Sequence, residues 1–181
     1  MRASRLLALA CDANGNLSNR DGAELLWFAD NRPKRIRKTA GSASNSSEFE
    51  YGPDGQRWYH KYNAGGTIYT HVSLGGLFEI VTKGAVDDFR HTIHANGVPV
   101  ALYSRKSTGA TTLRYLLRDH LGSVDVITTS AGAVELKESF SPFGRRRGTS
   151  WSGNAPYTDV AALREISRRG FTDHELSLIH I

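Results

Sequence analysis

The chain has one cysteine, Cys11, in 181 residues. That excludes an intrachain disulfide framework and a multi-cysteine zinc site. Proline is scarce, at 5, and methionine occurs once. Long apolar runs are missing too. The longest, Leu6 to Cys11, is far too short to span a membrane as a helix. No charge dominates: Lys plus Arg is 23 and Asp plus Glu is 18, a net +5 with neutral histidines. Apolar residues at 39% and charged residues at 23% exclude collagen-like and strongly charged disordered chains. What is present is glycine, 18 residues, set among Tyr, Phe, Trp, Thr and Val. Such a composition predicts strands separated by turns, in one ordinary domain or two small ones.

The start has the order of a lipoprotein signal: Arg2 and Arg5, then Leu6-Leu7-Ala8-Leu9-Ala10, then Cys11. Its apolar part is shorter than the roughly seven to fifteen residues of a secretory core. We read it as a chance hydrophobic start and assign no signal peptide.

Asn14-Gly15, Asp54-Gly55, Gly65-Gly66 and Asn96-Gly97 predict two-residue hairpin turns of the primed types, which need positive φ. The flanks alternate. Trp58, His60 and Tyr62 share a face; Ile68, Thr70 and Val72 lie opposite Tyr69 and His71. Val134, Leu136 and Phe140 fall opposite Glu135, Lys137 and Ser139. Leu77-Phe78-Glu79-Ile80-Val81 predicts a more buried strand. Gly41 to Ser47 predicts a flexible loop, and Gly148 to Asn154 a second that ends the β part. Thr158 or Asp159 can cap a helix running through Val160, Leu163 and Ile166 to a stop at Gly170. The fold class is therefore mainly β, antiparallel hairpins over 11–147, with one short C-terminal helix within 158–170.

A weak repeat runs beneath this pattern. A mostly aromatic or apolar residue precedes Gly by four positions at Cys11 to Gly15, Tyr51 to Gly55, Tyr62 to Gly66, Ile93 to Gly97 and Phe140 to Gly144. A strand end, a tight turn and the next strand cannot bury their own face, so they must stack on neighbours.

The segment Tyr115-Leu116-Leu117-Arg118-Asp119-His120-Leu121-Gly122-Ser123-Val124 runs through Thr128-Thr129-Ser130-Ala131-Gly132 to Ser141-Pro142-Phe143-Gly144-Arg145-Arg146-Arg147. It resembles the core signature of the Rhs family of YD-repeat proteins. Asp12-Ala13-Asn14-Gly15-Asn16-Leu17 is similar to a YD repeat, with Cys11 where the family has Tyr. Arg32-Pro33-Lys34-Arg35-Ile36 and Phe49-Glu50-Tyr51-Gly52-Pro53-Asp54 match family habits. Arg169-Gly170-Phe171-Thr172-Asp173-His174-Glu175 resembles a family segment that has Gly where this chain has Asp173.

The resemblance divides the chain into a non-repeat start at 1–10, YD/Rhs repeat hairpins at 11–112 and a truncated core segment at 113–175. It implies a piece of a curved, hollow β shell that encloses a C-terminal toxin in a secreted or cell-surface polymorphic toxin. Neighbouring repeats, the toxin and secretion machinery, often of type VI, are the implied partners. Some family members release the toxin by an aspartate-dependent self-cleavage whose motif lies beyond the Gly-Phe-Thr segment. Residues 176–181, Leu-Ser-Leu-Ile-His-Ile, are what CTG TCT CTT ATA CAC ATC encodes, the mosaic end of a library transposase. We expect that tail to be a sequencing-adapter artefact and exclude it from fold reasoning.

Candidate chemistry is thin. Asp119-His120 with Ser123 nearby offers parts of a hydrolase, but adjacency in sequence does not orient a triad. Capping of the turn at Gly122 is the favoured reading. His91 and His94 are three apart and face opposite sides of a strand, with His60 and His71 elsewhere, so no metal site is assigned. Basic clusters at Arg32, Lys34, Arg35, Arg37 and Lys38, at Arg145 to Arg147, and at Arg168 and Arg169 come without any nucleic-acid-binding signature. They read as solubilised strand edges. No Walker loop or dinucleotide fingerprint is visible. The expectation is a structural protein: not an enzyme, with no cofactor, no catalytic, cofactor or metal residues, no specific nucleic-acid partner and no membrane span. The alternative is a β-rich carbohydrate-binding surface module that uses Trp58, Tyr59 and Tyr62.

Overall fold

The computed structural model describes residues 9–142, 144–148 and 165–167. They fall into two compact units, 9–89 with 106–108, and 90–105 with the described residues from 109 onward. The first unit contains β1 (Leu9–Cys11), β2 (Leu17–Arg20), β3 (Ala23–Trp27), β4 (Pro33–Arg37), β5 (Ser46–Tyr51), β6 (Arg57–Ala64), β7 (Thr67–Leu74) and β8 (Phe78–Lys83). Strand β9 (Val86–Ala95) passes from the first unit into the second. The chain continues through β10 (Val98–Lys106), β11 (Thr111–Arg118), β12 (Val124–Thr129) and β13 (Val134–Lys137). These 13 strands are hydrogen-bonded in chain order, each to the next. A separate ribbon pairs β14 (Ser139–Phe140) with β15 (Arg146–Arg147). The antiparallel β class is as expected. The helix expected at 158–170 lies outside the described residues apart from 165–167, as do the loop at 148–154 beyond Gly148 and the tail at 176–181.

Two kinds of turn recur. Gly65-Gly66 and Asn96-Gly97 take positive φ at both positions and close two-residue hairpins, as does Asp21-Gly22. Asn14-Gly15 and Asp54-Gly55 differ, because only the glycine takes positive φ. They belong to three-residue loops that start at Asp12 and Gly52. The Asp12 amide donates to the Asn16 carbonyl at 2.8 Å, and the Gly15 amide donates back to the Asp12 carbonyl at 3.1 Å. The same pair of bonds recurs in the turns that start at Phe28, Gly52, Asp119, Thr129 and Ser141. In each, the residue three positions on, Asn31 or a glycine, has positive φ. This is a type I turn closed by a left-handed residue.

A side-chain oxygen accompanies the second kind. In each of these six loops the amide four positions on meets such an oxygen. Asp12 accepts from Asn16 at 2.9 Å, Asp119 from Ser123 at 2.8 Å, Thr129 from Ala133 at 3.2 Å and Ser141 from Arg145 at 3.1 Å. Where the first residue carries no oxygen, an aspartate two positions on does the same work: Asp30 accepts from Arg32 at 3.2 Å and Asp54 from Gln56 at 3.0 Å. Such local bonds are what favour Asp, Ser and Thr in turns. The returning strand then carries an unpaired extra residue at Ser18, Lys34, Trp58, Asp125 and Glu135, a β-bulge repeated at one offset.

Directly paired residues share a face. In the first unit Leu25, Ile36, Ser47, Tyr62 and Tyr69 form one cross-strand row on the buried face. Phe49, His60, His71 and Val81 form a second. The other face carries Leu26, Arg35, Glu48, Lys61 and Thr70, with charge alternating along the row. In the second unit Leu116, Ile127 and Leu136 form the buried row and cluster with Val124 and Ile166.

Three local expectations need correction. Ser47 is not in a loop; it is buried within β5. Leu77 sits exposed in the turn after Leu74, and of its run only Val81 is buried. Val134 is exposed, while Glu138 and Ser139 are buried. The bulge at Glu135 shifts the alternation, and after Lys137 the chain leaves the long sheet for the β14–β15 ribbon.

Candidate functional site

Strands β5, β6 and β7 bring polar and aromatic side chains together on the buried face of the first unit. Ser47 and His60 are each 1% exposed, and His60 Nε2 lies 3.0 Å from Ser47 Oγ. Phe49 stacks on His60 with centroids 4.7 Å apart, and Tyr62 stacks on Tyr69 at 4.7 Å. His71 lies 6.2 Å from His60 and 5.6 Å from Tyr62, ring to ring. The strand pairing makes this ladder, since Phe49, His60 and His71 face one another across adjacent strands. A serine on a histidine has the spacing of a nucleophile on its base. Nucleophilic catalysis also asks for a group that orients the histidine and for room for a substrate. Burial makes the ladder a set of cross-strand pairs that hold three strands in register.

The Asp119 turn is organised around its carboxylate. Oδ1 accepts from the Leu121 amide at 2.9 Å and the Ser123 amide at 2.8 Å. Arg118 donates to the Gly122 carbonyl at 2.7 Å and to the Pro99 carbonyl at 3.1 Å. His120 is exposed, whereas Ser123 is fully buried. The carboxylate thus serves backbone amides, and the structure sets His120 and Ser123 in opposite environments. His91 and His94 are both exposed. Among the described residues no His, Cys, Asp and Glu group of three or more is placed to hold a metal ion.

Members of two of the basic clusters are paired internally. Arg32 pairs with Asp30 at 2.5 Å and lies 4.7 Å from the Tyr51 ring centre. This pairing holds the Asp30 carboxyl below the usual carboxylate range. Arg37 pairs with Glu24 at 2.9 Å. Arg146 pairs with buried Glu138 and stacks over Phe140, and Arg147 donates to Ser139 Oγ at 2.9 Å. Burial pushes the Glu138 carboxyl up to about 7, against the opposing pull of Arg146. The sequence reading missed Glu138 and Ser47; a polar residue bracketed by strand residues was the available signal. Arg168 and Arg169 lie outside the described residues.

The proposed sugar-contact set is split. Trp58 occupies a bulge and is 40% exposed, with Tyr59 beside it, ring centres 5.5 Å apart. Tyr62 is only 3% exposed and belongs to the buried ladder. The bulge breaks the alternation that had set Trp58 and Tyr62 on one face.

No family model matches the chain, and no curated protein matches it in sequence. Solved structures do match in fold. Against TcdB2-TccC3 the TM-score is 0.70 at 16% identity, over 91% of this chain and 8% of that one. Against TcdB2-TccC3 without its hypervariable C-terminal region it is 0.65 at 14% identity, over 93% of this chain and 10% of that one. Against the Photorhabdus luminescens Tc holotoxin pore it is 0.63 at 17% identity, over 75% and 7%. The chain has the fold of these toxin components. This is the fold that the YD-repeat resemblance implied. The chain spans about 8% of the length of the TcdB2-TccC3 chain it matches. Among the described residues no helix is long and apolar enough to cross a membrane.

Proposed function

We propose that the chain is a wall segment of a larger β shell whose task is to enclose a C-terminal polypeptide, a toxin by resemblance. The observation that carries this reading is the match over 91% of the chain to 8% of TcdB2-TccC3 at a TM-score of 0.70. The local chemistry supports it. One turn, one cap and one bulge recur down the chain, so hairpins are added by a common rule, as a wall built by repetition requires. Among the described residues the sheet ends at β1 and β13, whose outer backbone groups suit neighbouring repeats. The wall reading gives the chain no catalytic step, cofactor or metal, and assigns delivery from the cell to the whole protein.

The test uses the complete gene product. Electron microscopy and limited proteolysis are expected to show a hollow particle and a C-terminal polypeptide protected until the particle is denatured. A complete product with no hollow particle, or with that polypeptide digested at once, would sink the proposal. Hydrolase or nuclease activity of the chain that is lost on changing Asp119 and His120 to Ala would overturn the non-catalytic part.

A further inference from the structure

The second unit has an apolar sheet face on the side away from its aliphatic cluster. Tyr103 pairs with Leu113, Leu117 with Val126, and Thr128 with both Tyr115 and Val134. These side chains therefore share one face, opposite Leu116, Ile127 and Leu136. Tyr103, Tyr115, Leu117 and Val134 are 37 to 54% exposed, and Leu113 and Val126 are half-buried between them. Contiguous apolar surface of this kind marks an interaction site, where singly scattered apolar residues would not. The corresponding face of the first unit differs, since Arg35, Glu48 and Lys61 alternate in charge along it. In the paired rows of the second unit the charge is of one sign. Arg105 lies opposite Thr111, and Lys137 opposite Val126. Both are exposed, and no ion pair among the described residues engages either. They stand at opposite corners of the face. Lys137 is three strands from Arg105, and its row meets β11 at Leu117, six residues on from Thr111. At ~4.8 Å between strands and ~3.3 Å per residue, the corners are roughly 25 Å apart.

One kind of occupant satisfies both the apolar centre and the two corners. It is an extended polypeptide with apolar side chains on alternate residues and a carboxylate near each end. About nine extended residues span the distance. A second copy laid face to face would set cations against cations. A nucleic acid would need cations along its whole path, not at two corners. The aromatic and aliphatic centre supplies affinity, and the charged corners supply selectivity. We propose that this face docks an extended polypeptide segment, apolar in its centre and acidic at both ends, with Tyr115 and Leu117 as apolar anchors and Arg105 and Lys137 as the charge contacts. The wall reading does not require this, since a wall made by pairing hairpins places no demand on the sequence of what touches its faces.

Fluorescence anisotropy on the chain with a labelled nine-residue peptide tests it. The peptide has aspartate at both ends, Phe, Leu and Tyr at alternate positions between them, and serine elsewhere. One comparator replaces the end aspartates by lysine, and a second replaces the three apolar residues by serine. Saturable binding of the acidic apolar peptide is expected, weakened roughly tenfold by Tyr115→Ser and by either change to the peptide. Lys137→Glu is expected to weaken the acidic peptide and strengthen the lysine-ended one, a reversal that a damaged strand does not produce. Leu26→Ser, on the corresponding face of the first unit, should leave binding unchanged. Circular dichroism checks that each variant keeps its strands. Four results would each overturn the proposal: no saturable binding, equal binding of the acidic and lysine-ended peptides, displacement of the peptide by single-stranded DNA, or sedimentation as a dimer that Tyr115→Ser dissociates.

Discussion

The two units bury different things. In the first, the interior rows hold Ser47, His60, Tyr62, Tyr69 and His71 beside Phe49 and Val81, so much of what leaves water is polar or aromatic. In the second, a hydrocarbon cluster surrounds Ile127, and the buried charges include Arg90, which donates to the Glu165 carbonyl at 2.8 Å, and Glu138, which pairs with Arg146. The same turn and the same bulge serve both units. Backbone architecture is thus independent of the interior chemistry here, and what differs is how each interior resists water. Ring stacking and hydrogen bonds are directional and fix register. Aliphatic contact fixes little register, but each deletion leaves a cavity.

The largest expected effect follows from that contrast. Ile127 is 0% exposed and lies at the centre of the aliphatic cluster. Ile127→Ala is expected to destabilise the second unit by about 3 kcal/mol, with a range of roughly 2–5. Hydrogen exchange at β11 to β13 is the measurement. A change below about 1 kcal/mol would mean that the cluster is not the core of this unit. In the first unit the matching change, Ser47→Ala, removes a hydroxyl and leaves His60 Nε2 short of the contact seen at 3.0 Å. The expected cost is about 1–2 kcal/mol, read at β5 and β6.

How much of this was legible in the sequence can be argued from the same residues. Strands and most turn positions were legible, because a Gly or Asn that must take positive φ leaves a mark. Ser47 was not, since a polar residue after Gly-Ser-Ala-Ser-Asn reads as loop until a partner strand supplies His60. The turn at Asp54-Gly55 was placed correctly but typed wrongly. The dipeptide alone does not choose between the two geometries; here the Gln56 amide donates to the Asp54 carboxylate in the three-residue form. Trp58 and Val134 were set on the wrong face because a bulge inserts one residue and reverses the alternation beyond it. Tyr59, singled out as a sugar contact, is half-buried. The pairing of Arg35 with Glu48 was not legible, because it is set by the register of β4 on β5.

The buried charge gives the comparison a pH axis. Glu138 titrates at about 7 in the folded chain, above an ordinary carboxyl near 4.5. Between those values the folded form holds a proton that the unfolded form has lost. Its contribution is fully present below about 4.5 and is lost as pH rises through about 7. The second unit is therefore expected to be more stable at pH 5 than at pH 8, by on the order of 1 kcal/mol. Glu138→Gln is expected to flatten that slope, measured by exchange at β12 and β13. A slope that persists in the variant would assign the effect to another group.

A smaller effect tests the shared turn. Gly122 holds φ at 82°, where an L side chain is strained. Gly122→Ala is expected to cost about 1 kcal/mol, and Asp119→Ala a similar amount by releasing two amides. If the turn is one device in both units, Gly55→Ala in the first unit should cost about as much, since Gly55 holds φ at 78°. Unequal costs would break the claim that the turn is independent of the interior beneath it.

The smallest effect compares one cross-strand ion pair from each unit. Arg114 in the second unit reaches both Glu135 oxygens, at 2.7 and 2.8 Å. Arg37 in the first unit reaches one Glu24 oxygen at 2.9 Å. Both pairs keep some contact with solvent, so each is expected to contribute only a few tenths of a kcal/mol, at most about 1, and less in high salt. The two-point pair should be the stronger, because its fork geometry loses less freedom for each bond made. Its pH signature is opposite to that of Glu138. The hydrogen bonds from Arg114 hold the Glu135 carboxyl below its usual range. That contribution is present above the unfolded value and is lost as pH falls through the lower folded one. Arg114→Lys keeps the charge but not the fork, and is expected to lose most of the difference between the two pairs. Double-mutant cycles at low and high salt measure both couplings. A first-unit coupling equal to or larger than the second would show that solvent, not geometry, sets the strength of these surface pairs.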